Sequence, residues 1–103
     1  TLKLQQLQLD NIRLVKQKED ELLRSQLRQA ADQLEENKQI LSLQLENDVH
    51  TARLYQNGLM SLDQRLDKYD DLLAAQDSYL KSLAAYTLAQ YEIYIRQIDF
   101  QPR

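Results

Sequence analysis

The chain has 103 residues with a single Gly and a single Pro, too few to supply the turns of a many-stranded sheet protein. It has no Cys and one His, which excludes a disulfide scaffold, a thiolate metal site and chemistry that needs two imidazoles. The 13 basic and 16 acidic side chains give a net charge of −3, so a nucleic-acid-binding face is not expected. Leu, Gln, Ala and charged residues dominate, which is typical of long helices whose apolar stripe needs a partner.

A first helix is predicted over residues 2–56, where apolar side chains recur at spacings of three and four. The charged segment 16–21 has no apolar residue. It also has no Gly or Pro, so the helix is expected to continue through it. The clearest heptad seam of this helix consists of Leu27, Ala31, Leu34, Lys38, Leu41, Leu45, Asp48, Ala52 and Tyr55.

A tight reversal is predicted at residues 57–61. Asn57 and Gly58 fit a helix C-terminus, where one residue must adopt the left-handed conformation. Ser61 and Gln64 match the capping box of a new helix, and Asp63 places a negative charge in its first turn. Signals for the end of one helix and the beginning of another thus lie within a few residues of each other. The alternative is one kinked helix.

A second helix is predicted over residues 62–97, followed by a tail at 98–103 that contains Pro102. A second stripe steps by seven beside its main seam, through Leu72, Tyr79, Tyr86 and Ile93. Two stripes make an apolar face wide enough to contact two or more neighbours. The main seam consists of Leu59, Leu62, Leu66, Tyr69, Leu73, Gln76, Leu80, Leu83, Thr87, Gln90 and Tyr94.

The predicted fold class is all-α, a long antiparallel helical hairpin of coiled-coil type that belongs to a larger helical barrel or oligomer. At 1.5 Å per residue the two helices would measure roughly 80 Å and 54 Å, so the second would end opposite about residue 20. The first eighteen or so residues would then lack a partner within the chain. Contact with another chain, or with parts of a larger protein, is expected there because the overhang carries Leu2, Leu4, Leu7, Leu9, Ile12 and Leu14. No run approaches the roughly 20 apolar residues of a membrane-spanning helix.

Chemistry is not expected from the polar side chains. His50 has Glu46 on the same helical face, but a zinc site needs three or four ligands. No phosphate-binding loop, catalytic triad or nucleophile motif occurs, so neither an enzyme nor a cofactor or metal is predicted. The tyrosines are expected to pack at helix seams, and the alternative is that they stack on a ligand: Tyr55, Tyr69, Tyr79, Tyr86, Tyr91 and Tyr94. A solvated acidic face, or a docking face for a basic partner, is expected from Asp63, Asp67, Asp70, Asp71 and Asp77.

The segment 52–63 is similar to the Tyr…Gly…Ser/Thr…Asp turn of the TolC family of outer-membrane efflux proteins, with Tyr55, Gly58, Ser61 and Asp63 at those places. The helix over 73–91, with its alternating small residues and tyrosines, resembles the closing helix of that family. The segment 34–52 resembles the incoming helix. The likeness covers about residues 30–98.

The resemblance implies a periplasmic segment of an outer-membrane protein, with other copies or segments of the same protein as partners in a trimeric α-barrel. It also implies that a membrane-fusion adaptor docks at the hairpin tip. Complete family members have two such hairpins and β-strands, so this chain would be one segment of a larger whole. The expected tip residues are Tyr55, Asn57, Gly58, Leu59, Met60, Ser61 and Asp63.

Two alternatives remain. The α-hairpin of the periplasmic adaptor also has two long helices, with Arg and Leu before a Ser, and Arg53, Leu54 and Ser61 echo that pattern at a shorter spacing. A cytosolic coiled-coil scaffold has the same composition. A second hairpin repeat with amphipathic strands in the neighbouring sequence would favour the channel family over both.

Overall fold

The computed structural model describes residues 1–99, which form two long helices in an antiparallel hairpin. Helix α1 comprises Leu2–Gln56 and helix α2 comprises Leu62–Asp99. The hairpin measures 84 × 24 × 16 Å, so it is a thin rod two helices wide. The predicted all-α antiparallel hairpin is confirmed, and the pairing of the helices rules out a single kinked helix. Neither helix contains a stretch that is both long and apolar enough to cross a membrane.

Both helices follow the predicted boundaries closely. Thr1 caps α1, since its hydroxyl oxygen accepts a hydrogen bond of 3.4 Å from the backbone N–H of Leu4. Helix α1 then runs unbroken through 16–21, as predicted. Helix α2 continues two residues beyond the predicted end at 97, because Pro102 restricts only the residue before it. The remaining part of the predicted tail, 100–103, lies outside the described residues.

The two helices meet along one heptad seam, called here the inner seam. Its most buried members are Leu72 and Ala75 of α2, together with the polar Thr51 and Ser82. On α1 the buried and half-buried residues of the inner seam are Leu23, Leu27, Ala30, Leu34, Asn37, Leu41, Gln44, Asp48 and Thr51. On α2 they are Arg65, Leu72, Ala75, Tyr79, Ser82, Tyr86, Ala89, Ile93 and Arg96.

Of the two stripes predicted for α2, the second one contacts α1 and the main seam does not. Leu73 is 44% exposed and Leu80 61% exposed, whereas the second stripe through Leu72 and Tyr79 faces α1. From Leu66 onward each exposed position except Tyr69 directly follows an inner-seam residue, which rotates it by about 100° around the helix. We call this exposed row the outer seam: Leu62, Leu66, Tyr69, Leu73, Gln76, Leu80, Leu83, Thr87, Gln90 and Tyr94.

The seam predicted for α1 is correct at alternate positions. Leu27, Leu34, Leu41 and Asp48 lie on the inner seam. Four others lie one row to the side: Ala31 and Ala52 are half-buried, and Lys38 and Leu45 are exposed. Tyr55 continues the row of Leu41 and Asp48 but is exposed in the last turn of the helix. The difference arises because the inner seam includes Asn37, Gln44 and Thr51, three polar residues that a search for apolar side chains does not select.

The first turns of α1 extend past the end of α2. Arg96 of α2 contacts Glu19 and Asp20, so the residues before about 16 face no part of α2. Every side chain from Thr1 to Leu22 is exposed. The overhang therefore lies where the helix lengths predict it, and its apolar side chains are exposed. Its burial against another chain remains a prediction.

Candidate functional site

The hairpin tip brings the seven predicted docking residues to one end of the rod. Tyr55 lies in the last turn of α1, Asn57 ends that helix, and Asp63 lies in the first turn of α2. Leu59 is 73% exposed, whereas Met60 is half-buried. Of the two apolar side chains at the tip, Leu59 is therefore mostly exposed and Met60 is partly covered.

Backbone hydrogen bonds end α1 in a Schellman motif. The Gly58 N–H donates to the Tyr55 carbonyl at 3.1 Å, and the Leu59 N–H donates to the Leu54 carbonyl at 2.8 Å. Gly58 has φ 73°, in the left-handed region that favours glycine. A Cβ at position 58 would meet open space, so glycine is favoured there by the backbone conformation and not by a lack of room for a side chain.

A reciprocal capping box begins α2. The Ser61 N–H donates to Gln64 Oε1 at 3.0 Å, and the Gln64 N–H donates to Ser61 Oγ at 3.1 Å. Asp63 adds a negative charge to the first turn, where the helix dipole favours it. The predicted turn chemistry is confirmed at every one of these residues.

A polar network joins the helices just below the tip. Arg65 Nη1 contacts Asp48 Oδ1 and donates a 2.9 Å hydrogen bond to Thr51 Oγ1. The Thr51 hydroxyl in turn donates to the Asp48 carbonyl at 3.1 Å. Although Arg65 lies between Asp63 and Asp67 in the sequence, its side chain is on the inner seam opposite Asp48.

Two further polar contacts tie the helices together. At mid-length the Asn37 amide donates to Ser82 Oγ, and the Ser82 hydroxyl donates to the Ser78 carbonyl at 2.9 Å. At the open end Arg96 Nε donates to Asp20 at 2.6 Å, and its Nη2 contacts Glu19. The hydrogen bond to Glu19 is the largest of the causes that raise the pKa of Arg96.

The other polar candidates stand on the surface of the hairpin. His50 is exposed, and no three side chains able to hold a metal ion come together within residues 1–99. Asp77 of the acidic run pairs with Lys81 at 2.8 Å, a contact that raises the pKa of Lys81, chiefly through the hydrogen bond. Tyr79 and Tyr86 occupy the inner seam as expected of seam tyrosines, whereas the others are exposed: Tyr55, Tyr69, Tyr91 and Tyr94.

The two flanks of the hairpin differ in character. One flank carries the outer seam, a ridge of Leu and Tyr side chains without a charge among its ten members. The other holds an open groove between the helices, called here the Gln/Ala groove. Its lining comes from both helices and includes Gln26, Gln29, Ala30, Gln33, Ala85 and Ala89. The heptad spacing identifies the ridge without saying which stripe of α2 meets α1, and it does not reveal the groove, which exists only once the helices are paired.

Comparisons with known proteins add no relative: no family model, no curated protein and no solved structure matches the chain.

Proposed function

We propose that this chain is the periplasmic helical hairpin of a TolC-like outer-membrane efflux channel, a non-enzymatic transport component whose tip docks to a membrane-fusion adaptor. The proposal starts from the resemblance of residues 52–63 and 73–91 to that family. The observation that carries it is the exposed Leu59 at a tip whose backbone is fixed by a Schellman motif and a capping box.

The tip has the chemistry of a protein-docking surface. Only two chain segments reach this end of the rod, so Leu59 has no intrachain surface on which to be buried. Gly58 and Ser61 are small and flank it, which lets a partner helix approach the backbone closely. Asp63 and Asp67 add negative charge just beyond, which favours a partner with basic side chains around an apolar contact.

The hairpin also has the exposed surface expected of one element in a larger helical wall. The outer seam and the overhang of α1 both leave apolar side chains in solvent along the length of the rod. A single hairpin encloses no channel, so the proposal requires further hairpins beside it, from other copies or from other segments of the same protein. Under this proposal the chain resides in the periplasm as part of an outer-membrane protein.

The test is a charge introduced at the tip in the host cell. Leu59→Glu places a carboxylate on the docking surface without disturbing a buried contact, since Leu59 is exposed. We expect greater drug susceptibility and loss of cross-linking to the adaptor, with normal assembly in the outer membrane. Gln39→Glu is the matched control, because Gln39 is exposed on the face of α1 that points away from α2.

The alternatives predict other outcomes. A cytosolic scaffold would leave drug susceptibility unchanged in both variants and would not reach the outer membrane. An adaptor hairpin would cross-link through residues 55–63 to an outer-membrane channel instead of to an adaptor. Normal export with normally folded and expressed Leu59→Glu protein would contradict the docking role.

A further inference from the structure

We infer that Asn57 is a site of spontaneous chemical modification, which converts to aspartate and isoaspartate when the Schellman motif at the tip opens. Asn57 is the only one of the four asparagines that precedes a glycine. The reaction needs only water and hydroxide, so it proceeds whatever protein docks at the tip.

The reaction joins the side chain of Asn57 to the backbone of Gly58. The Gly58 amide nitrogen loses its proton to hydroxide and attacks Cγ, the carbonyl carbon of the Asn57 side chain. A bond forms between that nitrogen and Cγ, the bond from Cγ to Nδ2 breaks, and Nδ2 takes a proton from water and leaves as ammonia. Water then opens the cyclic imide. Opening at Cγ gives aspartate, and opening at the backbone carbonyl carbon gives isoaspartate.

The surroundings of Asn57 give the reagents access. Asn57 and Gly58 are both exposed at the end of the rod. Gly58 has no Cβ to hinder the attack of its own nitrogen, and the space where a Cβ would stand is empty to a distance of 4 Å. Water and hydroxide therefore reach the reacting groups as soon as the backbone is free to rotate.

The closed reversal slows the reaction in two ways. The Gly58 N–H donates to the Tyr55 carbonyl at 3.1 Å, so the attacking nitrogen keeps its proton. The Asn57 ψ of 4° also turns the Gly58 nitrogen toward the backbone nitrogen of Asn57, away from the side-chain carbonyl that it must reach. The imide can close only after rotation about the Cα–C bond of Asn57, and that rotation breaks the hydrogen bonds of the Schellman motif.

The rate of modification is therefore set by the fraction of chains in which the reversal is open. Local opening takes microseconds to seconds, whereas displacement of an amide takes days. When opening and closing are this much faster than the chemistry, the observed rate is the open fraction multiplied by the rate of the open chain. A turn at the end of a helix pair opens at a smaller free-energy cost than the whole hairpin, so the folded protein still reacts.

The other three asparagines serve as references within the same chain. Asn11, Asn37 and Asn47 precede Ile, Lys and Asp, and all three lie inside α1. Inside a helix the N–H that follows each asparagine is bound to a carbonyl of the preceding turn, and freeing it unfolds helix on both sides. The amide of Asn37 is also held by Ser82. We therefore expect all three to react more slowly than Asn57.

The products change the tip in charge and in backbone length. Both carry a carboxylate at the residue that ends α1, where the helix dipole disfavours a negative charge. Isoaspartate also runs the chain through Cβ and Cγ, which adds one carbon atom to the backbone before Gly58. The hydrogen bond from the Leu59 N–H to the Leu54 carbonyl spans that point, so isoaspartate loosens the reversal more than aspartate does.

The experiment follows the purified full-length chain in mildly alkaline buffer, either folded or unfolded in guanidinium chloride. Peptide mapping by mass spectrometry measures the replacement of NH2 by OH at each asparagine, and a methyltransferase specific for isoaspartate identifies that product. In the folded chain we expect Asn57 to react well before Asn11, Asn37 and Asn47. Unfolding should raise the rate at Asn57 by roughly tenfold or more, because it removes the reversal. Asn57→Gln should abolish the reaction at this position, since glutamine would have to close a larger ring.

Two serine variants test whether the reversal sets the rate. Ser61→Ala removes the acceptor for the Gln64 N–H and leaves Asn57 and Gly58 unchanged. It should speed the reaction of the folded chain about fivefold, the factor that the loss of a helix cap implies. Ser42→Ala makes the same substitution at an exposed position of α1 and should leave the rate unchanged. In guanidinium chloride both variants should react like the parent chain.

The modified protein tests the effect on the tip. Ion exchange separates the modified chains from the parent by their extra negative charge. The isoaspartate form should melt at a lower temperature than the Asn57→Asp variant, which has the same charge and an ordinary backbone. An isoaspartate form as stable as Asn57→Asp would overturn the effect assigned to the added backbone atom.

Three results would overturn the inference itself. The first is a rate at Asn57 no higher than that at Asn47 in the folded chain. The second is the same rate at Asn57 in the folded and the unfolded chain, and the third is the same rate in folded Ser61→Ala and the folded parent chain. Because these rates are measured on the purified chain without an adaptor, such a failure is distinct from a failure of tip docking, which is scored in cells.

Discussion

Arg65 of α2 donates a 2.9 Å hydrogen bond to the hydroxyl of Thr51, a polar side chain of α1 that is only 4% exposed. The same Arg65 nitrogen contacts Asp48, and the Thr51 hydroxyl donates to the Asp48 carbonyl. A cation, a hydroxyl and a carboxylate are thereby joined across the inner seam two turns below the tip. Each group has its polar partner, so none is left unsatisfied at the seam.

Replacing Arg65 by Met should destabilise the hairpin. The Met side chain keeps much of the apolar stem but leaves the part-buried Asp48 carboxylate and the Thr51 hydroxyl without their donor. We expect a loss of about 2 kcal/mol in the free energy of unfolding, measured by urea denaturation. Lys81→Met removes an exposed ion pair with Asp77 and should produce no measurable change. Equal effects from the two variants would contradict the role given to the network.

Gly58→Ala should destabilise the reversal through the backbone alone. The left-handed φ of 73° disfavours any L side chain, while the space around the missing Cβ is open. We expect a cost of about 1 kcal/mol, seen as a lower melting temperature. Gly58→Asn should cost less, because Asn tolerates this conformation better than Ala. An Ala variant as stable as the parent chain would show that the turn does not need the left-handed residue.

The capping box should show coupling between its two members. Ser61→Ala removes the acceptor for the Gln64 N–H and should cost about 1 kcal/mol. Gln64→Ala removes the acceptor for the Ser61 N–H. Because the two side chains satisfy each other's backbone groups, the double variant should lose a different amount from the sum of the single losses. Strict additivity in thermal melts would mean that the two bonds act independently.

Arg96→Gln should loosen the open end of the hairpin and leave the tip intact. The side chain of Arg96 ties the last turns of α2 to Glu19 and Asp20 of α1. We expect faster amide hydrogen exchange in the last two turns of α2, with no change at residues 57–65. High salt should speed exchange at this end in the parent chain and have little effect in the variant, since salt screens the ion pairs. Faster exchange at the tip as well would show that the helices open as one unit.

The turn could be predicted from sequence because its signals are local. Gly58, Ser61 and Gln64 each act on backbone groups within a few residues, so the order of residue types determines the geometry. The helix ends and the overhang follow from the same signals and from the rise per residue.

The choice of seam could not be predicted in the same way. Leu72 and Leu73 are adjacent, equally apolar and both on heptad rows, yet Leu72 is 4% exposed and Leu73 is 44% exposed. The row that faces α1 is the one that pairs Arg65 with Asp48 and Ser82 with Asn37. These contacts join residues 17 and 45 positions apart, so no local pattern reveals them. An apolar periodicity therefore selects the stronger hydrophobic row, which here is the one left on the surface.

The way the reversal is held has a consequence for how this chain can change over generations. The bonds that fix it use the backbone of 53–59 and the side chains of Ser61 and Gln64. The side chains of Leu59 and Asp63 take part in none of those hydrogen bonds. Mutations at these two positions therefore change the exposed side chains of the tip and leave the hydrogen bonds of the reversal in place. A substitution of Leu59 can thus change the exposed surface of the tip without breaking a hydrogen bond of the reversal, whereas a substitution of Asp63 also removes the charge that favours the first turn of α2.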